Sequence, residues 1–104
     1  MQRLSHKFAL ITGGGSWIGR EIATLFARES AKVFILEQNA QTLAQTLSEI
    51  QAKGGTAAGA VVDIRQETAV QAAIQQAVSQ YGPIDILIQN AGIYPITEFI
   101  FCLV

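Results

Sequence analysis

The sequence predicts an α/β protein in three αβα layers, with a parallel sheet of about four strands covered by helices on both faces. Three observations carry that expectation. Short apolar runs alternate with longer segments whose apolar residues recur at helical spacing, with little loop between them. A glycine-rich turn, Gly13-Gly14-Gly15, joins the first apolar run to the first helical segment. Half of the residues are hydrophobic and only 14% are charged, a composition suited to strands buried on both sides.

The elements follow in chain order. Phe8–Thr12 is a continuous β-prone run, as expected of a central strand. From Ile18 to about Glu29, Ile18, Ile22, Leu25 and Phe26 recur at helical spacing and predict a one-sided helix. Val33–Leu36 is a second short strand. Asn39 is suited to N-cap a helix whose stripe is Leu43, Leu47 and Ile50. Lys53-Gly54-Gly55 ends that helix, since glycine accepts the left-handed cap conformation. Ala57–Val62 is a third strand of small and branched residues. Gln66 to about Gln80 is a third helix, with Val70, Ile74, Ala77 and Val78 expected inward. Tyr81-Gly82-Pro83 stops it, and Ile84–Ile88 is the fourth strand. Strands joined by right-handed helical crossovers give the order 3-2-1-4, with ligands bound beyond the carboxyl ends of the strands.

Composition narrows the function. At 104 residues the chain is at most one domain, residues 1–104. Seven basic against eight acidic residues give a net charge of −1, and no basic cluster suggests nucleic acid or an anionic membrane. The single cysteine, Cys102, excludes an intrachain disulfide and fits a reducing cytoplasm. The N-terminus lacks the apolar core of a signal peptide, and no apolar run is long enough for a membrane helix. A cytoplasmic protein is expected.

The chemistry is concentrated at the strand ends. A strand, a glycine turn and the start of a helix form a seat for the pyrophosphate of a dinucleotide. Gly13 is placed for the positive φ of a tight strand-to-helix turn, and Gly19 for close approach of helix to sheet. The helix N-terminus then aims free N–H groups at phosphate. Glu37 closes the second strand 18 residues after Gly19. An acid there hydrogen-bonds the adenosine ribose hydroxyls and repels a 2′-phosphate, so NAD is expected over NADP. No Arg or Lys stands beside it, since Gln38 and Asn39 follow. Asp63 is placed either to reach the adenine amino group or to cap the next helix. No metal site is expected.

With Asp85-Ile86-Leu87-Ile88-Gln89-Asn90-Ala91-Gly92 added, the chain resembles the short-chain dehydrogenase/reductase family over essentially residues 7–100. The resemblance rests on Thr12-Gly13 through Ile18-Gly19, on Glu37, on Asp63-Ile64, and on Asp85 through Gly92 at matching intervals. It implies a Rossmann-like fold and a nicotinamide dinucleotide as cofactor. It also implies hydride transfer between a carbonyl and an alcohol. The implied cofactor residues are Gly13, Gly15, Ser16, Trp17, Ile18, Gly19, Glu37, Asp63, Ile64, Asn90, Ala91 and Gly92. The turn matching Asn90-Ala91-Gly92 braces the central sheet and lines the ribose side of the cofactor in the family.

Departures accompany the resemblance. Trp17 stands where the shorter branch of the family has glycine, and Ser16 where the longer branch has it, so Ser16-Trp17 is a hybrid of the two. Ser16 also takes the place of an Arg common in NADP-preferring members, again pointing to NAD. Gln89 replaces the first Asn of the usual Asn-Asn-Ala-Gly. The family's active site is a Ser with a Tyr-x-x-x-Lys pair, aided by an Asn. Here Asp85 follows Tyr81 by four residues, Glu98 follows Tyr94 by four, and no Lys follows Lys53. No catalytic residue is therefore carried over.

The expectation is a cofactor-binding half, truncated relative to the full family fold and inactive alone. The alternatives are a free-standing nucleotide-binding or interaction module, and a non-functional truncated remnant. An uncovered outer edge on the fourth strand would bring marginal stability and self-association, with the apolar tail Glu98–Val104 able to cover part of it.

Overall fold

The computed structural model describes residues 3–13 and 17–89, with Trp17 described through its backbone alone. Gly15, Ser16, Asn90, Ala91, Gly92 and the apolar tail lie outside the described residues. Seven elements alternate along the chain: β1 (Phe8–Thr12), α1 (Trp17–Arg28), β2 (Lys32–Glu37), α2 (Ala40–Ala52), β3 (Thr56–Val61), α3 (Glu67–Tyr81) and β4 (Ile86–Gln89). The four strands form a parallel sheet in the order β3-β2-β1-β4, as the alternation predicts.

The sheet has a core on each face. On one side α1 and α2 pack with Ile11, Val33, Ile35 and Ala57. On the other, α3 packs through Val70, Ala73, Ile74 and Ala77 on Phe8, Leu10, Phe34 and Leu36. Alternate residues of β1 and β2 thus serve opposite cores, which is why both read as unbroken apolar runs. All five residues of β1 are buried, because it has a strand on either side and helices above and below.

Helix α1 departs from its predicted face. Ile18 and Leu25 are 61% and 46% exposed, while Ala23 and Ala27 are buried with Gly19 in the same i, i+4, i+8 row. The small residues face the sheet because they allow the helix axis close to it, and Ile22 and Phe26 pack at the flank. Helix α2 turns Leu43, Thr46 and Ile50 inward, leaving Leu47 partly buried. The Thr46 hydroxyl is satisfied by donating to the Thr42 carbonyl at 2.9 Å. In α3 the inward row is Val70, Ala73, Ile74 and Ala77, and Val78 is on the exposed side. In α1 and α2 small residues, Gly19, Ala23, Ala27 and Thr46, take buried places that size alone would have assigned to larger ones.

Helix and strand ends carry their expected punctuation. The Asn39 side chain caps α2, accepting from the N–H groups of Gln41 and Thr42. Gly54, just past the cap residue Lys53, has φ +85°. Gly59 in β3 allows a close approach to β2 and α2. A Cβ built there would lie 2.6 Å from the Ile35 carbonyl oxygen and 2.8 Å from Leu43 Cδ1. β4 starts at Ile86, later than the predicted Ile84, because the chain joins β1 through Asp85: its N–H donates to the Phe8 carbonyl, and its carboxylate accepts the Phe8 N–H. Among the described residues no helix is long and apolar enough to cross a membrane.

Candidate functional site

The carboxyl ends of the strands finish level. Thr12 of β1 is in register with Leu36 of β2 and Gln89 of β4, and Glu37 of β2 with Val61 of β3. The groups expected to bind ligand therefore emerge along one edge of the sheet, each at the residue where pairing stops.

Gly13 leaves β1 with φ +70°, in the left-handed region that a residue with a Cβ enters only at a cost. Its N–H still donates to the Leu36 carbonyl at 2.7 Å. The turn thus begins while the chain is tied to β2, immediately beside Glu37. Helix α1 opens at Trp17 with no acidic residue in its first turn, so no carboxylate there opposes an anion at the helix N-terminus. Gly19 is buried in that first turn, and Ile18 is exposed beside it.

Glu37 ends β2 partly buried. Its carbonyl accepts the Val62 N–H at 3.0 Å, and its Oε2 accepts the Asn39 N–H at 2.9 Å. Asn39 thereby uses its backbone to hold Glu37 and its side chain to cap α2. The carboxylate is anchored by a backbone donor one turn of chain away, a relation that a strand-and-helix reading of the sequence does not reveal.

Asp63 follows β3 on the same edge. Its Oδ1 accepts the Arg65 N–H at 3.0 Å and Arg65 Nε at 3.1 Å, and its Oδ2 accepts Arg65 Nη2 at 3.0 Å. The Arg65 guanidinium holds the Asp63 carboxyl below the usual carboxylate range, with help from the backbone bond, and Asp63 raises Arg65 in turn. Of the two roles open to Asp63 from sequence, capping does not hold. The cap position of α3 is Gln66, whose N–H bonds the Asp63 carbonyl at 2.9 Å and whose side chain makes no cap bond. Ile64 packs partly buried against the α3 core. Arg65 was not among the residues singled out from sequence; the Asp-x-Arg spacing was the signal for it.

Other candidate chemistry lies elsewhere. Tyr81 sits edge-on to Phe8 and Phe34, with ring centroids 5.3 and 6.4 Å away, and Lys32 Nζ lies 5.9 Å from its ring. Burial raises its hydroxyl above the ordinary tyrosine value. Since Phe8 and Lys32 open β1 and β2, this cluster occupies the amino edge of the sheet, opposite the glycine turn. A cleft of about 890 Å³ between α1 and α2 is lined by Arg20, Thr24, Arg28, Glu49, Lys53 and Gly55 among others, and by none of Gly13, Glu37 or Asp63. Arg20 pairs with Glu49 there, while Arg28 and Lys53 stand at the helix C-termini, where cations are favoured. Among the described residues no group of three or more His, Cys, Asp or Glu is placed to hold a metal ion.

The profile of the short chain dehydrogenase family matches residues 7–101. The chain belongs to that family. Among its relatives, this short-chain dehydrogenase sequence is 42% identical to the 7alpha-hydroxysteroid dehydrogenase of Escherichia coli K12 over 90 residues, which are 86% of this chain and 35% of that enzyme. The crystal structure of hydroxysteroid dehydrogenase from Escherichia coli superposes with a TM-score of 0.83 at 37% identity, covering 96% of this chain and 46% of that one. The structure of NAD+-bound xylitol dehydrogenase gives the same TM-score at 29% identity, covering 96% and 42%. The short-chain dehydrogenase segment described here thus spans about a third of the length of the curated relatives it matches.

Proposed function

We propose that this chain is the nicotinamide dinucleotide-binding part of a short-chain oxidoreductase, that residues 1–104 act as one binding unit, and that NAD is preferred over NADP. One observation carries the reading: the positive-φ turn at Gly13 is hydrogen-bonded to Leu36 and so opens directly beside Glu37, the last residue of β2. Glycine turn and acid would then receive neighbouring parts of one ligand, the pyrophosphate and the adenosine ribose.

The donor and acceptor set fits that ligand. The N-terminus of α1, free of acidic residues in its first turn, suits the pyrophosphate. The Glu37 carboxylate accepts from ribose hydroxyls and opposes a 2′-phosphate. Asp63 offers an acceptor for the adenine amino group. Gly15, Ser16, Trp17, Ile18, Gly19 and Ile64, with Asn90, Ala91 and Gly92, complete the proposed set by family resemblance. The bound cofactor supplies the hydride acceptor or donor, and this chain's residues bind and orient it. Relatives named as hydroxysteroid and xylitol dehydrogenases support a secondary alcohol or its ketone as the substrate class. No residue is assigned a proton-transfer role. The single cysteine supports a cytoplasmic setting.

The test is titration of the purified chain with NADH and NADPH, following emission of its one tryptophan, Trp17, and energy transfer to the reduced nicotinamide. Saturable quenching at lower NADH than NADPH concentration is expected. A folded sample that responds to neither cofactor would overturn the reading. Equal response to both would overturn the assigned role of Glu37.

A further inference from the structure

We propose that Arg65 is a positioning residue for adenine recognition: it holds the Asp63 carboxylate so that one acceptor direction, on Oδ2, remains for the base. The inference rests on the dinucleotide reading above and extends it to a residue outside the glycine turn and the strand ends.

The geometry is a fork closed on a single neighbour. An ionised carboxylate offers about four acceptor positions. In Asp63, Oδ1 takes two donors from Arg65, the backbone N–H and Nε, and Oδ2 takes one, Nη2. Planar guanidinium and planar carboxylate thereby meet edge to edge as a bidentate pair, whose geometry is more specific than that of a point charge. The added backbone bond ties the pair to the start of the β3–α3 connection, where the Asp63 carbonyl also accepts from Gln66. Residue 63 is further located by the strand beside it, since the Val62 N–H bonds the Glu37 carbonyl. The two acids therefore keep a set relation across adjacent strand ends. Without Arg65 the carboxylate would keep its charge and lose its orientation. An exposed ion pair of this kind adds little stability, so its effect should appear in ligand selectivity rather than in folding.

The experiment compares NADH with nicotinamide hypoxanthine dinucleotide, reduced form, whose base carries a carbonyl in place of the adenine amino group. A carboxylate aimed at that position accepts from the first and repels the second. The wild-type chain is expected to prefer NADH by about tenfold or more, the scale of one charge-assisted hydrogen bond. Arg65→Ala should cut the preference to within about threefold, Asp63→Ala should do the same, and the double variant should lose no more than either alone. Arg65→Lys, which keeps the charge but not the fork, should fall between wild type and Arg65→Ala, and circular dichroism checks that each variant is folded. A preference unchanged or increased in folded Arg65→Ala overturns the positioning role while leaving the dinucleotide reading intact. A wild-type chain that binds NADH without preferring it over the hypoxanthine analogue overturns the role of Asp63 and Arg65 together. A folded wild-type chain that binds neither overturns both readings.

Discussion

Asp85 and Phe8 hold each other by two reciprocal bonds: the Asp85 carboxylate accepts the Phe8 N–H at 2.9 Å, and the Asp85 N–H donates to the Phe8 carbonyl at 2.9 Å. They are 77 residues apart in sequence. The pair sets where β4 meets β1, and so where Gln89 finishes opposite Thr12 at the other end of the strands. Asp85→Ala leaves the N–H of buried Phe8 without its acceptor and should cost about 1–3 kcal/mol of unfolding free energy. Asp85→Asn, which keeps an acceptor oxygen, should cost less. Urea denaturation measures both, and equal midpoints for wild type and Asp85→Ala would remove the clamp from the account.

Gly59→Ala tests the close approach of β3 to β2. The new methyl meets the backbone carbonyl of Ile35 at 2.6 Å, where backbone must shift, and Leu43 Cδ1 at 2.8 Å. The expected loss is about 1–3 kcal/mol, the usual range for overpacking, although alanine is the better β-former of the two. A variant as stable as wild type in thermal unfolding would show that β2 and β3 are packed more loosely.

Asn39→Ala removes the side-chain oxygen that accepts from Gln41 and Thr42. Loss of such a cap costs about 1 kcal/mol. Asn39→Asp should retain most of it, because aspartate caps as well as asparagine. The bond from the Asn39 N–H to Glu37 is a backbone bond, so both variants should keep the cofactor preference while differing in stability. Unfolding midpoints and NADH titration separate the two effects.

Glu37→Ser tests the proposed cofactor choice. Removing a carboxylate that faces a 2′-phosphate relieves like-charge repulsion. The ratio of NADPH to NADH affinity should rise by about tenfold or more, equivalent to about 1.4 kcal/mol. Fluorescence titration reads it directly, and an unchanged ratio would place the discriminating group elsewhere.

The Asp63–Arg65 pair predicts a small acid response with a definite sign. Asp63 titrates below its ordinary value in the folded chain because Arg65 bonds its charged form. Its stabilising contribution is therefore present above the unfolded carboxylate value and is lost as pH falls through the lowered folded one. Arg65→Ala should move the Asp63 titration upward, as followed by carbon NMR of the carboxyl group. No upward movement would mean that the pair does not persist in solution.

Much of the architecture was legible in the residues themselves. The alternation of apolar runs with helical stripes led to the parallel order 3-2-1-4, because strand–helix–strand crossovers have one favoured hand. The positive φ of Gly13, the Asn39 cap and the end of α2 at Lys53-Gly54 were equally readable. Each depends on local backbone sterics or a side chain bonding its own neighbours. Helix faces were read less well, since sequence pattern weights size, and the buried rows of α1 and α3 include Ala23, Ala27 and Ala73. Which residue faces the sheet depends on how near the helix axis lies, and that distance belongs to the assembled layers.

The placement of charge was likewise decided by tertiary structure. Sequence put Glu37 and Asp63 at strand ends. Only the assembled sheet set those ends level and put the Gly13 turn beside Glu37. The same holds for Asp85, whose partner Phe8 is distant in sequence and adjacent only once β4 docks on β1. Periodicity and turn chemistry act within a few residues, so they are written in the order of the chain. Register, packing depth and the pairing of polar groups depend on distances between segments, and those exist only after the strands have met.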